Sequence, residues 1–180
     1  MLYSFDECIK KYKNQYQVEK MLQAGELFKI DRGIYSDKKR VSETEIISFK
    51  YPEAVFTMDS AYYFHGLTDV IPEKYYLSTE RNAAKITMDS VKQVFCNTSL
   101  FSIGVETISY QNMRIKIYDK ERMLIELIRN KKTLALDYYK EIISSYRKIT
   151  NDLDIEKMQE YISNFPKRDY ILNTIQFEVM

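Results

Sequence analysis

The period of the hydrophobic pattern changes along this chain, and that change constrains its fold more than any other feature. Residues 75–79, 93–96, 105–110 and 114–118 are β-branched and aromatic runs that read as strands. Ala54 to Phe56 adds a short buried strand by composition, and Gln111 with Asn112 supplies the turn between the last two runs. The stretches on either side carry apolar residues at helical spacing. Strands gathered in the middle with helices set apart from them predict an α+β body with one small mixed sheet.

The last third is helical by pattern. Met123, Leu124, Leu127 and Ile128 form one apolar stripe, and Arg129, Lys131 and Lys132 complement the carboxyl end of that helix. Residues 134–149 repeat the pattern through Tyr138, Tyr139, Ile142, Ile143 and Tyr146. Ile155, Met158, Tyr161 and Ile162 mark a third helix, ended by Phe165 and Pro166. A fourth, from Tyr170 to Met180, is less cleanly amphipathic: Ile171, Thr174, Ile175 and Glu178 lie on one side, with Leu172, Phe177 and Val179 elsewhere.

The first forty residues read as helix, turn, helix and hairpin. Ser4 is placed to cap a helix from Phe5 to about Lys11, with Asp6 and Glu7 in its first turn and Phe5, Cys8, Ile9 and Tyr12 on one face. A break at Lys13 and Asn14 precedes a second helix, about Gln15 to Ala24, with Val18, Met21 and Leu22 inward and Gly25 ending it. A two-stranded ribbon follows, turning through Asp31, Arg32 and Gly33, with Gly33 where positive φ is needed. Val41 to Lys50 begins a further helix, with Ser42 and Glu45 as a capping box, and Thr57 is placed to cap a helix through His65 that Gly66 closes.

Charge separates the head from the rest. The 180 residues carry 27 Lys/Arg and 26 Asp/Glu, a formal charge of +1 that argues against nucleic-acid binding when taken whole. Residues 1–40 nevertheless hold nine Lys/Arg against six Asp/Glu, leaving 18 against 20 in residues 41–180. A +3 head on a −2 body is the asymmetry expected of a nucleic-acid module joined to a domain with another task. The outward face of the second helix offers Gln15, Gln17, Lys20 and Gln23, donors and acceptors suited to bases and phosphates in a major groove. Tyr16 beside them can meet a phosphate or a thymine methyl, while Lys29 and Arg32 lie on the hairpin, where cations contact phosphate or the minor groove. With Lys13 and Asn14 at the helix start, these residues describe the DNA-binding face of a winged helix-turn-helix. The competing reading is a small α+β subdomain with a solvated charged face.

The run Leu22, Gly25, Leu27, Phe28, Arg32, Gly33, Ile34, Tyr35 resembles the winged-helix ending of AbiEi-type antitoxins from abortive-infection toxin–antitoxin systems. Pro52, Ala54, Val55, Ser60, Ala61, His65, Gly66, Leu67, Thr68, Asp69 and Pro72 are similar to that family's central segment. Ile115, Ile117, Asp119, Glu121, Arg122, Leu124, Glu126 and Leu127 resemble its helix start. The three segments keep family order over residues 14–165. The head is shorter than is usual there, Lys120 stands where Pro is common, and Glu126 replaces Asp. Asp119 still caps, and Arg122 with Glu126 makes an i,i+4 pair expected to contribute a few tenths of a kcal/mol.

The resemblance implies a winged helix-turn-helix domain over 1–40 and a mixed α/β body over 41–180, with its sheet at about 54–118 and a bundle-like helical region at about 119–180. It implies a type IV antitoxin in phage defence, a cytoplasmic transcriptional repressor that binds double-stranded operator DNA. Its body would counteract a cognate nucleotidyltransferase-like toxin without needing a stable complex with it. Separately, the small charge excess of the head predicts that two heads are needed on one operator. The other reading is a stand-alone transcriptional regulator whose body binds a ligand or dimerises.

Catalysis finds little support in the sequence. Gly25, Gly33, Gly66 and Gly104 are isolated, so phosphate-cradling fingerprints are missing and no cofactor is expected. His65 is the only imidazole, and Ser60, Cys8 and Cys96, the nucleophiles it would have to serve, lack a nucleophile elbow. A helix-terminal histidine bonded to backbone near Gly66 is the simpler expectation. One His and two Cys 88 residues apart have no metal-ligand spacing and read as reduced, buried thiols. No window of 18 apolar residues predicts a membrane span, and the start of the chain lacks the order of a signal peptide. Most of the 16 Tyr and nine Phe should pack the core, Tyr16 excepted.

Overall fold

The computed structural model describes residues 1–111 and 113–180. It is a mixed α+β protein with two sheets, and its contacts divide it into compact units at Met1–Pro52 and Glu53–Met180.

In the first unit, β1 (Leu2–Ser4) runs directly into α1 (Phe5–Tyr12). Ser4 and Glu7 form a reciprocal cap: the Glu7 N–H donates to Ser4 Oγ at 3.2 Å and the Ser4 N–H to Glu7 Oε2 at 2.7 Å. The Ser4 bonds hold the Glu7 carboxyl below its usual range. The chain turns at Lys13, and Asn14 caps α2 (Gln15–Gln23) by accepting from the Gln17 N–H at 2.9 Å. Then come β2 (Phe28–Asp31) and β3 (Ile34–Ser36), joined by a turn in which Gly33 has φ +74°. Cys8, Val18, Leu27 and Tyr35 form the core, with Met21 and Leu22 against it.

The ribbon expected from the sequence is part of a three-stranded antiparallel sheet, ordered β1-β3-β2. Its third strand spans only three residues and ends on the α1 cap, so no alternation announces it. Pairing shifts between Lys29 and Asp31, which bulges β2 just before the turn. The unit is completed by α3 (Glu43–Lys50), where Ser42 Oγ accepts from the Glu45 N–H at 3.2 Å. The sequence reading divides the chain after residue 40, whereas α3 falls within Met1–Pro52, with Lys50 Nζ 2.5 Å from Asp31 Oδ2 at the end of β2.

The second unit comprises β4 (Val55–Phe56), α4 (Met58–Phe64), β5 (Tyr75–Glu80), β6 (Val91–Cys96), the short α5 (Thr98–Phe101), β7 (Val105–Tyr110) and β8 (Met113–Tyr118). Four helices follow: α6 (Lys120–Arg129), α7 (Leu136–Lys148), α8 (Ile155–Ser163) and α9 (Arg168–Glu178). The five-stranded sheet has the order β6-β5-β4-β8-β7, with β5–β6 and β4–β8 parallel and the other pairs antiparallel. Its centre is the two-residue β4, buried through Val55 and Phe56. The expected turn at Gln111 and Asn112 falls partly outside the described residues, since Asn112 is not among them.

Helix α6 is buried nearly all round, covering Met123, Leu124, Ile125, Leu127 and Ile128 together with the charged Glu121 and Arg122, and it packs against α4, α8 and α9. Tyr62 Oη donates to the Met123 carbonyl at 3.3 Å and Tyr146 Oη to the Lys120 carbonyl at 2.8 Å. In α9, Ile171, Thr174 and Ile175 face inward while Phe177 is 84% exposed. Burial works against charge on Glu178, but hydrogen bonds from Lys131 and from Tyr139 at 2.6 Å outweigh it and hold that carboxyl below its usual range.

Three local expectations are corrected. Thr57 precedes α4 but its hydroxyl makes no cap, pointing instead to Met123 Sδ at 3.8 Å. Arg122 and Glu126 are not a surface pair: Arg122 is 1% exposed and its guanidinium is stacked over Tyr118 and Phe165. Cys96 is only partly buried, although both cysteines are free thiols. Among the described residues no helix is long and apolar enough to cross a membrane.

Candidate nucleic-acid interface

The candidate residues of the first unit fall into two sets. Lys13, Asn14, Gln15, Tyr16, Gln17 and Lys20 lie at the start of α2 and along its first turns, because the Asn14 cap fixes where that helix begins. Lys29 and Arg32 belong to the β2–β3 hairpin, Lys29 on the strand beside the bulge and Arg32 at the turn. No hydrogen bond or ion pair joins the two sets among the described residues.

Their availability differs. Tyr16 is 71% exposed, a large apolar side chain left in water at the amino end of α2. Lys13, Lys20, Lys29 and Arg32 are exposed and make no ion pair among the described residues. Asn14 spends its side-chain oxygen on the cap, and Gln17 is half-buried. Gln15 donates through Nε2 to Glu19 Oε1 at 2.9 Å. Glu19 therefore puts a carboxylate beside the outward face, which the sequence reading passed over although the i,i+4 spacing from Gln15 carries the signal. Arg32 is left free because Asp31 is engaged elsewhere: its carboxylate accepts from Lys50 and from the Arg32 N–H at 2.6 Å. The Lys50 hydrogen bond, first, and that backbone bond hold Asp31 below its usual range.

In the second unit, His65 Nε2 lies 2.7 Å from the Tyr118 carbonyl. A carbonyl only accepts, so Nε2 carries the proton and donates. The backbone partner is thus 53 residues away in sequence rather than beside Gly66. Ser60 Oγ accepts from the Tyr76 N–H at 2.8 Å, and Cys96 Sγ accepts from Arg122 at 3.8 Å, so neither is poised against the imidazole. Around the start of α6, Asp119 accepts from the Arg122 N–H at 2.8 Å, from Tyr161 Oη at 2.9 Å and pairs with Lys157 at 2.9 Å. Burial first, then the Asp119 contact, pushes the Tyr161 phenol up to about 12. These bonds tie α6 to α8. No group of three or more His, Cys, Asp or Glu among the described residues is placed to hold a metal ion.

Burial lowers the pKa of His65 below 6.5, with Lys120 acting in the same direction and the Tyr118 carbonyl, Asp119 and Glu121 opposing. The unfolded chain then takes up a proton before the folded one as pH falls through about 6.5, so His65 supports the fold above that pH and loses stability below it. Urea titrations at pH 7.5 and 5.5 should show a smaller loss for His65→Gln than for the parent; equal losses would dismiss this role.

Compared with known proteins, the chain matches no family model and no curated protein.

Proposed function

We propose that this chain is a two-part type IV antitoxin, in which the first unit is a winged helix-turn-helix that represses its own operon and the second counteracts a nucleotidyltransferase-like toxin. The observation that carries this reading is the juxtaposition in one small unit of a capped helix bearing exposed Tyr16 and Lys20 with a bulged hairpin bearing exposed Lys29 and Arg32. Two helices followed by a hairpin, with an amino-terminal strand added to the hairpin's second strand, suit a recognition helix backed by a small sheet. The three segments similar to AbiEi-type antitoxins support the second part.

Phosphate contacts by Lys13, Lys20, Lys29 and Arg32 make binding to duplex from the upstream operator salt-dependent. Four such contacts per head weaken binding by about 100-fold between 50 and 200 mM salt. In a mobility-shift assay the double variant Lys20→Ala, Arg32→Ala should bind weakly and lose about two from the salt slope. Parent-like binding by that variant overturns the assignment of the face. The same variant should still rescue growth when co-expressed with a nucleotidyltransferase encoded next to it, since neutralisation lies in the other unit. Failure of the parent chain to rescue overturns the antitoxin reading.

A further inference from the structure

The second unit contains an open cavity of about 840 Å³ where the end of β6 and α5 meet the end of α6 and the start of α9. That is the size of a small-molecule site, which typically spans about 300–1,000 Å³. We propose that it binds a nucleoside di- or triphosphate, one molecule per chain. The inference stands apart from the antitoxin reading and requires neither DNA nor a toxin.

Four cationic side chains line the cavity, Arg122, Arg129, Lys132 and Lys167, against the single carboxylate of Glu126. That carboxylate is already spent: it accepts from Arg122 Nη2 and Nε at 2.8 and 3.2 Å, from Arg129 Nη1 at 2.8 Å on each oxygen, and from Asn130. A surplus of three positive charges faces a space with no anion of its own left to meet them.

The two arginines divide the work. Arg122 is a brace, since its donors go to Glu126, to the Leu100 and Ile103 carbonyls at 2.9 and 3.4 Å and to Cys96 Sγ. Arg129 is held but not consumed. Glu126 fixes its Nη1, the Phe165 ring lies 4.8 Å beneath its guanidinium, and Nε and Nη2 have no partner among the described residues. A guanidinium oriented in advance with two donors free is suited to phosphate oxygens, and Lys132 and Lys167, both exposed and without an ion pair among the described residues, add point charges.

The cavity also presents aromatic surface. Phe95 and Tyr170 both line the cavity and are 51% and 46% exposed, although large aromatic side chains in this unit are otherwise mostly packed. Flat, wetted rings beside a cationic surplus fit a ligand with a planar base and several phosphate charges better than inorganic phosphate alone.

Isothermal titration of the full chain with ATP, tripolyphosphate and adenosine tests this. ATP should bind with unit stoichiometry, and the two partial ligands about tenfold more weakly or worse. Lys132→Ala with Lys167→Ala should weaken ATP and tripolyphosphate alike by at least about tenfold, whereas Tyr170→Ala should weaken ATP and leave tripolyphosphate unchanged. Arg168→Ala, an exposed cation outside the cavity lining, should change neither. The proposal is overturned if ATP does not bind, if the double lysine variant binds it like the parent, if Arg168→Ala weakens it equally, or if tripolyphosphate binds as tightly as ATP.

Discussion

Replacing Arg122 by methionine is expected to cost about 3 kcal/mol, the lower end of the range for breaking a buried ion pair. The side chain is 1% exposed, so no water replaces what it donates. Methionine fills similar volume but leaves the Leu100 and Ile103 carbonyls without that donor and removes the cation between the Tyr118 and Phe165 rings. Glu126 keeps Arg129 and Asn130, which makes the loss smaller than for a fully orphaned carboxylate. In a chain of this size the melting temperature should fall by roughly 10 °C. Adding Glu126→Gln should recover part of it, since residues in one network couple by about 0.5–3 kcal/mol. A loss under about 1 kcal/mol for Arg122→Met in urea titration followed by circular dichroism would refute the role given to this residue.

Gly104→Ala should cost about 3 kcal/mol for two superimposed reasons. The residue has φ +74°, a conformation other side chains adopt only under strain. A methyl group there would also lie 2.5 Å from Arg122 Cβ and 3.1 Å from Asp119 Oδ1. Arg122 Cβ is fixed by the first turn of α6, and the Gly104 carbonyl accepts from the Asp119 N–H at 2.7 Å, so neither side can withdraw. Gly66→Ala is the matched control, with φ +68° and nothing within 4 Å of the added atom. It should cost about 1 kcal/mol, the conformational part alone. Equal losses at the two glycines would show that the close approach at Gly104 contributes nothing.

How much of this was legible depended on the reach of each interaction. The caps by Ser4, Ser42 and Asp119 are local, formed within three residues, and their side chains could be assigned from spacing, whereas at the Asn14 cap the spacing shows only a break. Lys13 to Lys20, Lys29 and Arg32 could be placed on a helix face and a hairpin because period and turn chemistry place them there. What could not be read was which of their groups are already engaged, such as Gln15 by Glu19 and Asp31 by Lys50. The free Arg32 depends on that second bond, which closes 19 residues of chain. The strand at Leu2–Ser4 and the helix at Thr98–Phe101 are too short to show a period.

By itself the sequence determined the longer helices and strands, their order, and the uneven distribution of charge, because periodicity, caps and turns act over a few residues. Only the tertiary structure decided that Val55 and Phe56 form the centre of a five-stranded sheet and that His65 donates to Tyr118. It also decided that Arg122 is a buried brace while Arg129 keeps donors to spare. An i,i+4 pair looks the same in a sequence whether it lies in water or in the core, and the difference between a few tenths of a kcal/mol and several is set by what packs over it from elsewhere in the chain.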